Sequence, residues 1–267
     1  MSGLSEVILE TRALTVARDG RDLLNDVSVA IRGGGSVAII GPNGAGKTTL
    51  LKAMAGLVTG TEDAVFFLGK PLSAYSRRDL ARLIAFVPQL SEQLPPIAVR
   101  DFVLLARYAH GNRWFGASDK ADHLATSHSL EFVGISGFSQ RDITTLSGGE
   151  RQKVLIAAAL VQDAPLLLLD EPAAFLDYRQ AIEVQNLLEL VRKEKGKTII
   201  SVVHDLNQGA LEGSWVIALN HGRVVFQGGP QTLTKPETLH QIYETEFEVI
   251  RPSGTGRPLI APLRGAK

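Results

Sequence analysis

Gly41-Pro42-Asn43-Gly44-Ala45-Gly46-Lys47-Thr48-Thr49 lies between the apolar run Val37-Ala38-Ile39-Ile40 and a stretch, residues 50–55, with helical character. The spacing is G-x-x-x-x-G-K-T, that of a phosphate-binding loop joining a strand to a helix. Its glycines let successive backbone N–H groups turn inward as an anion nest, and the N-terminus of the following helix adds partial positive charge. Lys47 has the reach for β- and γ-phosphates, and Thr48 offers a hydroxyl to Mg²⁺. The stretch predicts a bound nucleotide and leaves open what the nucleotide drives.

Upstream, residues 7–35 read as short strands and turns, with Asp19-Gly20 as a hairpin turn and Gly33-Gly34-Gly35 as a break before the loop's strand. Residues 64–70 add a strand and turn. Downstream, residues 77–84 have helical spacing, and Ile84-Ala85-Phe86-Val87 reads as a buried strand ending at Pro88-Gln89. From residue 90 to about 145 the pattern is helical, with helices predicted over 99–108 and 120–133. After Ser147 strands and helices alternate again. Helices are predicted over 150–161 and 178–195, the latter closed by Gly196, with strands over 166–170, 198–203, 215–219 and 223–227. Such alternation argues a largely parallel sheet in an α/β fold interrupted by a helical insertion. The tail, with Pro252, Gly254, Gly256 and Pro258, reads as loop-rich.

Bulk properties narrow the function classes. Lys plus Arg and Asp plus Glu number 28 each, so net charge points to no polyanionic partner such as nucleic acid. With no cysteine, disulfides, iron–sulfur clusters and thiol catalysis are excluded. The first residues lack a basic region followed by an apolar one, so no secretory signal is expected. No apolar run approaches the ~18 residues of a membrane span. His110, His123, His128, His221 and His240 fall in no metal-ligand spacing and read as solvated or half-buried. Lys193, Lys195 and Lys197 around Gly196 suit a helix C-terminus.

Two further stretches carry chemistry. Leu166-Leu167-Leu168-Leu169-Asp170-Glu171 is a buried strand that delivers two carboxylates at its C-terminal end, where ligands bind in open α/β sheets. Asp170 suits Mg²⁺, a hard cation that takes oxygen ligands. Glu171, one step on, is placed to polarise an attacking water. Leu146-Ser147-Gly148-Gly149-Glu150 opens a helix, and Ser147 with Glu150 has the spacing of a capping box. Two glycines are not explained by a cap. They suggest close approach of the backbone to something, and a helix start with Ser and Gly is a second anion site.

Leu-Ser-Gly-Gly-Glu ahead of an apolar-strand Asp-Glu, and downstream of a phosphate loop, resembles the signature of ABC-type ATPases. The resemblance covers nearly the whole chain, with the motifs in the family's order. Gln89 resembles the family's Q-loop glutamine, Asp177 the D-loop aspartate, and His204 the switch histidine. By resemblance the fold is a P-loop NTPase: a RecA-like core with a parallel sheet, an N-terminal antiparallel β subdomain and an inserted α-helical subdomain. One ABC ATPase domain is expected over 1–250, with core and β subdomain in about 1–88 and 146–240, the helical subdomain in about 89–145, and a tail over 251–267.

The family implies ATP and Mg²⁺ as bound species. It implies phosphate contacts from Gly41, Pro42, Asn43, Gly44, Ala45, Gly46, Lys47, Thr48 and Thr49, and metal contacts from Thr48, Gln89 and Asp170. Glu171, Gln89 and His204 would be catalytic. Ser147, Gly148 and Gly149 would reach the nucleotide of a second copy of the chain, so that ATP is sandwiched in a head-to-tail homodimer. Many family members carry an aromatic residue stacking on adenine near the first hairpin. Here Arg18 or Asp19 holds that place, and the planar guanidinium of Arg18 is the expected substitute. Ala173-Ala174 replaces residues that are commonly small and polar.

Several stretches are similar to the importer group for iron–siderophore, haem and cobalamin. They are Leu80-Ala81-Arg82, Arg107-Tyr108-Ala109-His110, Trp114-Phe115-Gly116, the D-loop Ala-Phe-Leu-Asp, His204-Asp205-Leu206-Asn207-Gln208, and Ser253-Gly254-Thr255-Gly256-Arg257-Pro258-Leu259. That resemblance implies an ATP-hydrolysing subunit energising import, with a ferric siderophore, or else haem or cobalamin, as the expected substrate. The chain would sit at the cytoplasmic face of the membrane against a permease, docked through residues 89–115, and would act indirectly with a substrate-binding protein and not with nucleic acid. The aromatics Tyr108, Trp114 and Phe115 could equally be core. The alternatives are a soluble ABC ATPase acting on ribosomes or DNA, an exporter's ATPase subunit, and a non-hydrolysing ATP-gated scaffold, the last disfavoured by Glu171.

Overall fold

The computed structural model describes residues 6–90, 94–110, 120–207, 213–251 and 258–263. Two compact units are present: Met1–Ala74 with Ile200–Lys267, and Tyr75–Ile199.

The first unit begins with an antiparallel hairpin, β1 (Val7–Arg18) and β2 (Arg21–Arg32). Asp19 and Gly20 both take left-handed backbone (φ 52° and 73°), the two-residue turn whose twist matches that of the flanking strands. Period-2 alternation buries Leu14 and Val16 and leaves Thr15 and Ala17 exposed. β3 (Ser36–Ile40) is almost wholly buried and runs into the phosphate loop and α1 (Lys47–Met54). β4 (Val65–Phe67) pairs with β1, setting Phe67 opposite Leu9, and β5 (Lys70–Pro71) completes a sheet ordered β2-β1-β4-β5.

In the second unit, α2 (Arg77–Leu83) is capped by Ser76, whose hydroxyl accepts from the Asp79 N–H. β6 (Ile84–Val87) then pairs in parallel with β7 (Leu166–Asp170). All five β7 residues are buried, which explains its unbroken apolar run: a parallel strand covered on both faces needs no alternation. Between them lie α3 (Val99–Leu105), α4 (Lys120–Phe132) and α5 (Gly148–Val161). The described residues of 90–145 hold no strand beyond an isolated bridge between Ala98 and Asp142, in keeping with a helical insertion. Val103, Leu130, Val154, Ile156, Leu167 and Leu169 belong to one buried cluster with Val184 and Val191 of α6 (Tyr178–Lys195). Gly196, at φ 62°, ends α6 in the left-handed conformation expected of a C-terminal glycine.

β8 (Thr198–Val202) leads back into the first unit, where β9 (Trp215–Asn220) lies parallel to β3 and antiparallel to β10 (Arg223–Gly228). α7 (Pro230–Leu233) and α8 (Pro236–Tyr243) follow, each with proline in its first turn, where the missing N–H costs nothing. β11 (Phe247–Ile250) and β12 (Leu259–Pro262) form an antiparallel ribbon. Ile260, Leu239 and Ile242 are buried with Ile40 of β3 and Val216 of β9.

Three expectations are corrected. α5 starts at Gly148, two residues before the predicted 150, because the cap at Ser147 fixes the first turn there. α3 stops at Leu105 and continues as a 3₁₀ turn over Ala106–Ala109, short of a helix to 108. The tail is not all loop: Leu259–Pro262 is a strand, because Ile260 has a buried apolar site to fill despite the nearby prolines. Trp114, Phe115, Gly116, Gln208 and residues 253–257 lie outside the described residues.

Candidate nucleotide site

In the first unit the phosphate loop is shaped by crowding from its own chain. Gly41 (φ 141°) lies where a Cβ would fall 2.0 Å from the Leu219 carbonyl oxygen, and at Gly46 (φ 99°) one would fall 2.5 Å from that of Leu23. No side chain fits at either place. The loop is also cross-tied, with Ala45 N–H donating to the Pro42 carbonyl and the Gly222 N–H donating to that of Ala45. Lys47 is buried, and its ammonium donates to the carbonyls of Gly41 (2.8 Å) and Pro42 (2.9 Å). A positive charge is thereby held inside the curl of the loop. Thr48 and Thr49 are half-buried in the first turn of α1, which carries no acidic residue to oppose an anion.

Tyr243, at the end of α8, stands behind this loop, its oxygen accepting from the Gly41 N–H. Burial pushes its hydroxyl up to about 12, the Gly41 hydrogen bond partly opposing the shift. Next to it Glu244 accepts from Asn220 Nδ2 (2.8 Å) and His221 (3.1 Å), and the Asn220 bond, followed by His221, holds its carboxyl below the usual range. Sequence reading missed Tyr243. The available signal was a short amphipathic segment, Leu239, Ile242 and Tyr243, behind Pro236. Arg18 is exposed at the hairpin tip, 3.6 Å from Asp19, with its guanidinium accessible for stacking. His204 is exposed just past β8, while the preceding Val203 N–H donates to the Ile39 carbonyl of β3.

In the second unit Asp170 is 4% exposed and ends β7, and Glu171 follows in left-handed backbone (φ 52°). Such backbone is strained for a residue with a Cβ, and strain of this kind gathers at working sites. Gln89 Nε2 donates to Glu171 Oε2 at 2.7 Å, so two residues singled out 82 positions apart share one hydrogen bond. That polarity leaves the Gln89 amide oxygen as the atom it can offer a cation. A buried carboxylate and an amide oxygen fit the oxygen preference of Mg²⁺. Among the described residues no three His, Asp or Glu side chains gather into a metal cluster.

Ser147 and Glu150 form a complete capping box. Glu150 Oε2 accepts from the Ser147 N–H (2.7 Å) and hydroxyl (2.8 Å), and these bonds hold the Glu150 carboxyl below its usual range. Gly149 is buried against Gln180, where a Cβ would meet the side-chain Cδ at 2.9 Å, whereas one on Gly148 would find Leu176 at an ordinary 3.4 Å. Asp177 caps α6, accepting from the Gln180 N–H at 2.8 Å. Phe175 is left-handed (φ 62°) and 84% exposed. Tyr108, read as either groove or core, is 83% exposed and so is not core. His110 bonds the Gln162 carbonyl.

A phosphate loop after a parallel strand, with a buried strand ending in Asp-Glu, defines a P-loop nucleotide hydrolase. Residues 24–174 match the ABC transporter family. The iron(3+)-hydroxamate import ATP-binding protein FhuC of Bacillus subtilis (strain 168) is 35% identical over 251 residues, 94% of this chain and 93% of FhuC. The hemin import ATP-binding protein HmuV of Streptomyces coelicolor is 37% identical over 261 residues, 97% of this chain and 91% of HmuV. A dimeric structure of the ATP-binding cassette MJ0796, in a post-hydrolysis state bound to ADP and Pi, superposes with a TM-score of 0.71 at 26% identity, covering 84% of this chain and 99% of that one. The chain belongs to the ABC transporter family and is one of its ATP-hydrolysing cassettes.

Proposed function

We propose that this cassette hydrolyses ATP as a homodimer to drive import of a ferric siderophore or a related metal chelate through a membrane permease. The hydrogen bond from Gln89 to Glu171 at the end of β7 carries the mechanism. Lys47 and the loop N–H groups hold the β- and γ-phosphates. Glu171 accepts a proton from water as its oxygen attacks the γ-phosphorus, the bond to the β-bridging oxygen breaks, and ADP leaves. Mg²⁺, held by Thr48, Asp170 and Gln89, would neutralise charge on the phosphate oxygens. Gln89 orients the Glu171 carboxylate, and His204 donates toward the γ-phosphate. Ser147, Gly148 and Gly149 present the start of α5 to the nucleotide of the second copy.

The import reading is supported by relatives named for hydroxamate and hemin import, and it is favoured by them over ribosome, DNA or exporter roles. No helix of the described residues is long and apolar enough to cross a membrane, so a separate permease fits, seated at the cytoplasmic face. Leu105 and Tyr108, within the 89–115 stretch read as the docking region, are each more than half exposed and so accessible to it.

Glu171→Gln should keep ATP binding, lower turnover by about 100-fold or more, and accumulate an ATP-bound dimer. Hydrolysis at the parent rate would remove Glu171 from its role. For the substrate, a deletion strain should lose uptake of ferric siderophore. Unchanged uptake of siderophore, haem and cobalamin, with ATPase activity stimulated by ribosomes or DNA instead of permease-containing vesicles, would overturn the import reading.

A further inference from the structure

We infer that Asn207 is a positioning residue for His204, and that it works by gripping the backbone of Ile260 in the C-terminal strand β12. The inference rests on the switch role given to His204 above. Asn207 Nδ2 donates to the Ile260 carbonyl at 3.0 Å, and its Oδ1 accepts from the Ile260 N–H at 2.7 Å. One side-chain amide therefore takes both backbone groups of a single residue 53 positions away. The polarity of the pair fixes the amide: reversed, it would set oxygen against oxygen. Asn207's own N–H donates to Asp205 Oδ1 at 2.8 Å, which closes the intervening turn.

His204 is thus enclosed by two anchors within five residues. On its N-terminal side the Val203 N–H is tied to the Ile39 carbonyl of β3 at 3.0 Å, two residues before the phosphate loop. On its C-terminal side Asn207 is tied to β12, and Leu206 packs on the cluster holding Ile40, Leu239, Ile242 and Ile260. His204 is itself exposed, and the backbone on either side of it is held by these two anchors. β12 is in turn fixed by the burial of Ile260 and by its backbone pairing with β11. A strand outside the nucleotide-binding motifs is in this way built into the geometry of the switch. Misplacing a catalytic group by a fraction of an ångström lowers the chemical step without lowering affinity for the ground state.

The test compares three variants of the full chain. Asn207→Ala removes both bonds. It should lower kcat for ATP about tenfold, keep KM within about twofold, and move the imidazole NMR signals of His204. Val249→Ala loosens the same apolar cluster from the other strand of the ribbon while leaving the Asn207 bonds in place. It should lower Tm, with kcat within about twofold of the parent. His204→Ala should lose turnover by at least as much as Asn207→Ala. If His204→Ala turns over at the parent rate, the switch role itself falls. If His204→Ala fails but Asn207→Ala matches the parent, or if Asn207→Ala and Val249→Ala lose kcat together in step with Tm, the positioning role is overturned.

Discussion

The two glycine-rich stretches differ in what requires their glycines. In the phosphate loop the requirement is internal: Gly41 and Gly46 are left-handed, and a Cβ on either would run into the carbonyl of Leu219 or Leu23. At the start of α5 it is weaker. Gly149 meets only the movable end of Gln180, and Gly148 has ordinary room beside Leu176. A glycine that its own fold demands says that the loop has a shape. One that the fold does not demand points to something outside the chain, and for Gly148 that is the nucleotide proposed to arrive on the second copy.

The sharpest contrast should come from Gly41→Ala. It forces a Cβ into a backbone carbonyl and should cost about 3 kcal/mol or more, seen as a collapsed thermal transition together with lost ATP binding. A stable, ATP-binding variant would show that the loop can reshape. Tyr243 supports the same loop, and its effect depends on pH. Its folded value of about 12 exceeds the ordinary 10, so burial of the neutral phenol contributes stability that is complete below pH 10 and lost as pH rises toward 12. Urea unfolding across that range should cost the parent about 2 kcal/mol more than Tyr243→Phe. Equal losses would mean that Tyr243 ionises as it does in the unfolded chain. Arg18→Ala should weaken ATP binding by about 1 kcal/mol, and Arg18→Tyr should restore it. Affinity unchanged in both would remove the base-stacking role. Gly148→Ala should barely alter Tm, within about 0.5 kcal/mol, yet reduce ATP-dependent dimerisation measured by light scattering. Intact dimerisation would return Gly148 to a purely local role.

Features written in consecutive residues were legible in the sequence. The phosphate loop, the Asp19-Gly20 turn, the buried run of β7 and the capping box at Ser147 each rest on chemistry within a few positions, and each stands where it was read. Contacts between distant residues were not legible. Gln89 and Glu171 were separately chosen, but nothing in either motif dictates the bond between them. Tyr243 behind Gly41, and Asn207 on Ile260, depend on where α8 and β12 dock, and both elements are short and edged by proline. Burial of a few apolar side chains outweighed the local preference for loop there.

The grip on Ile260 also bears on the open edge of the C-terminal ribbon. A two-stranded ribbon has outward rows of unsatisfied N–H and C=O groups, which can recruit a strand from another molecule. In β12 the amide of Asn207 occupies both groups of Ile260, and Pro262 at the strand's end has no N–H to offer. At Ile260 a single asparagine thus takes the place that a third strand would pair with.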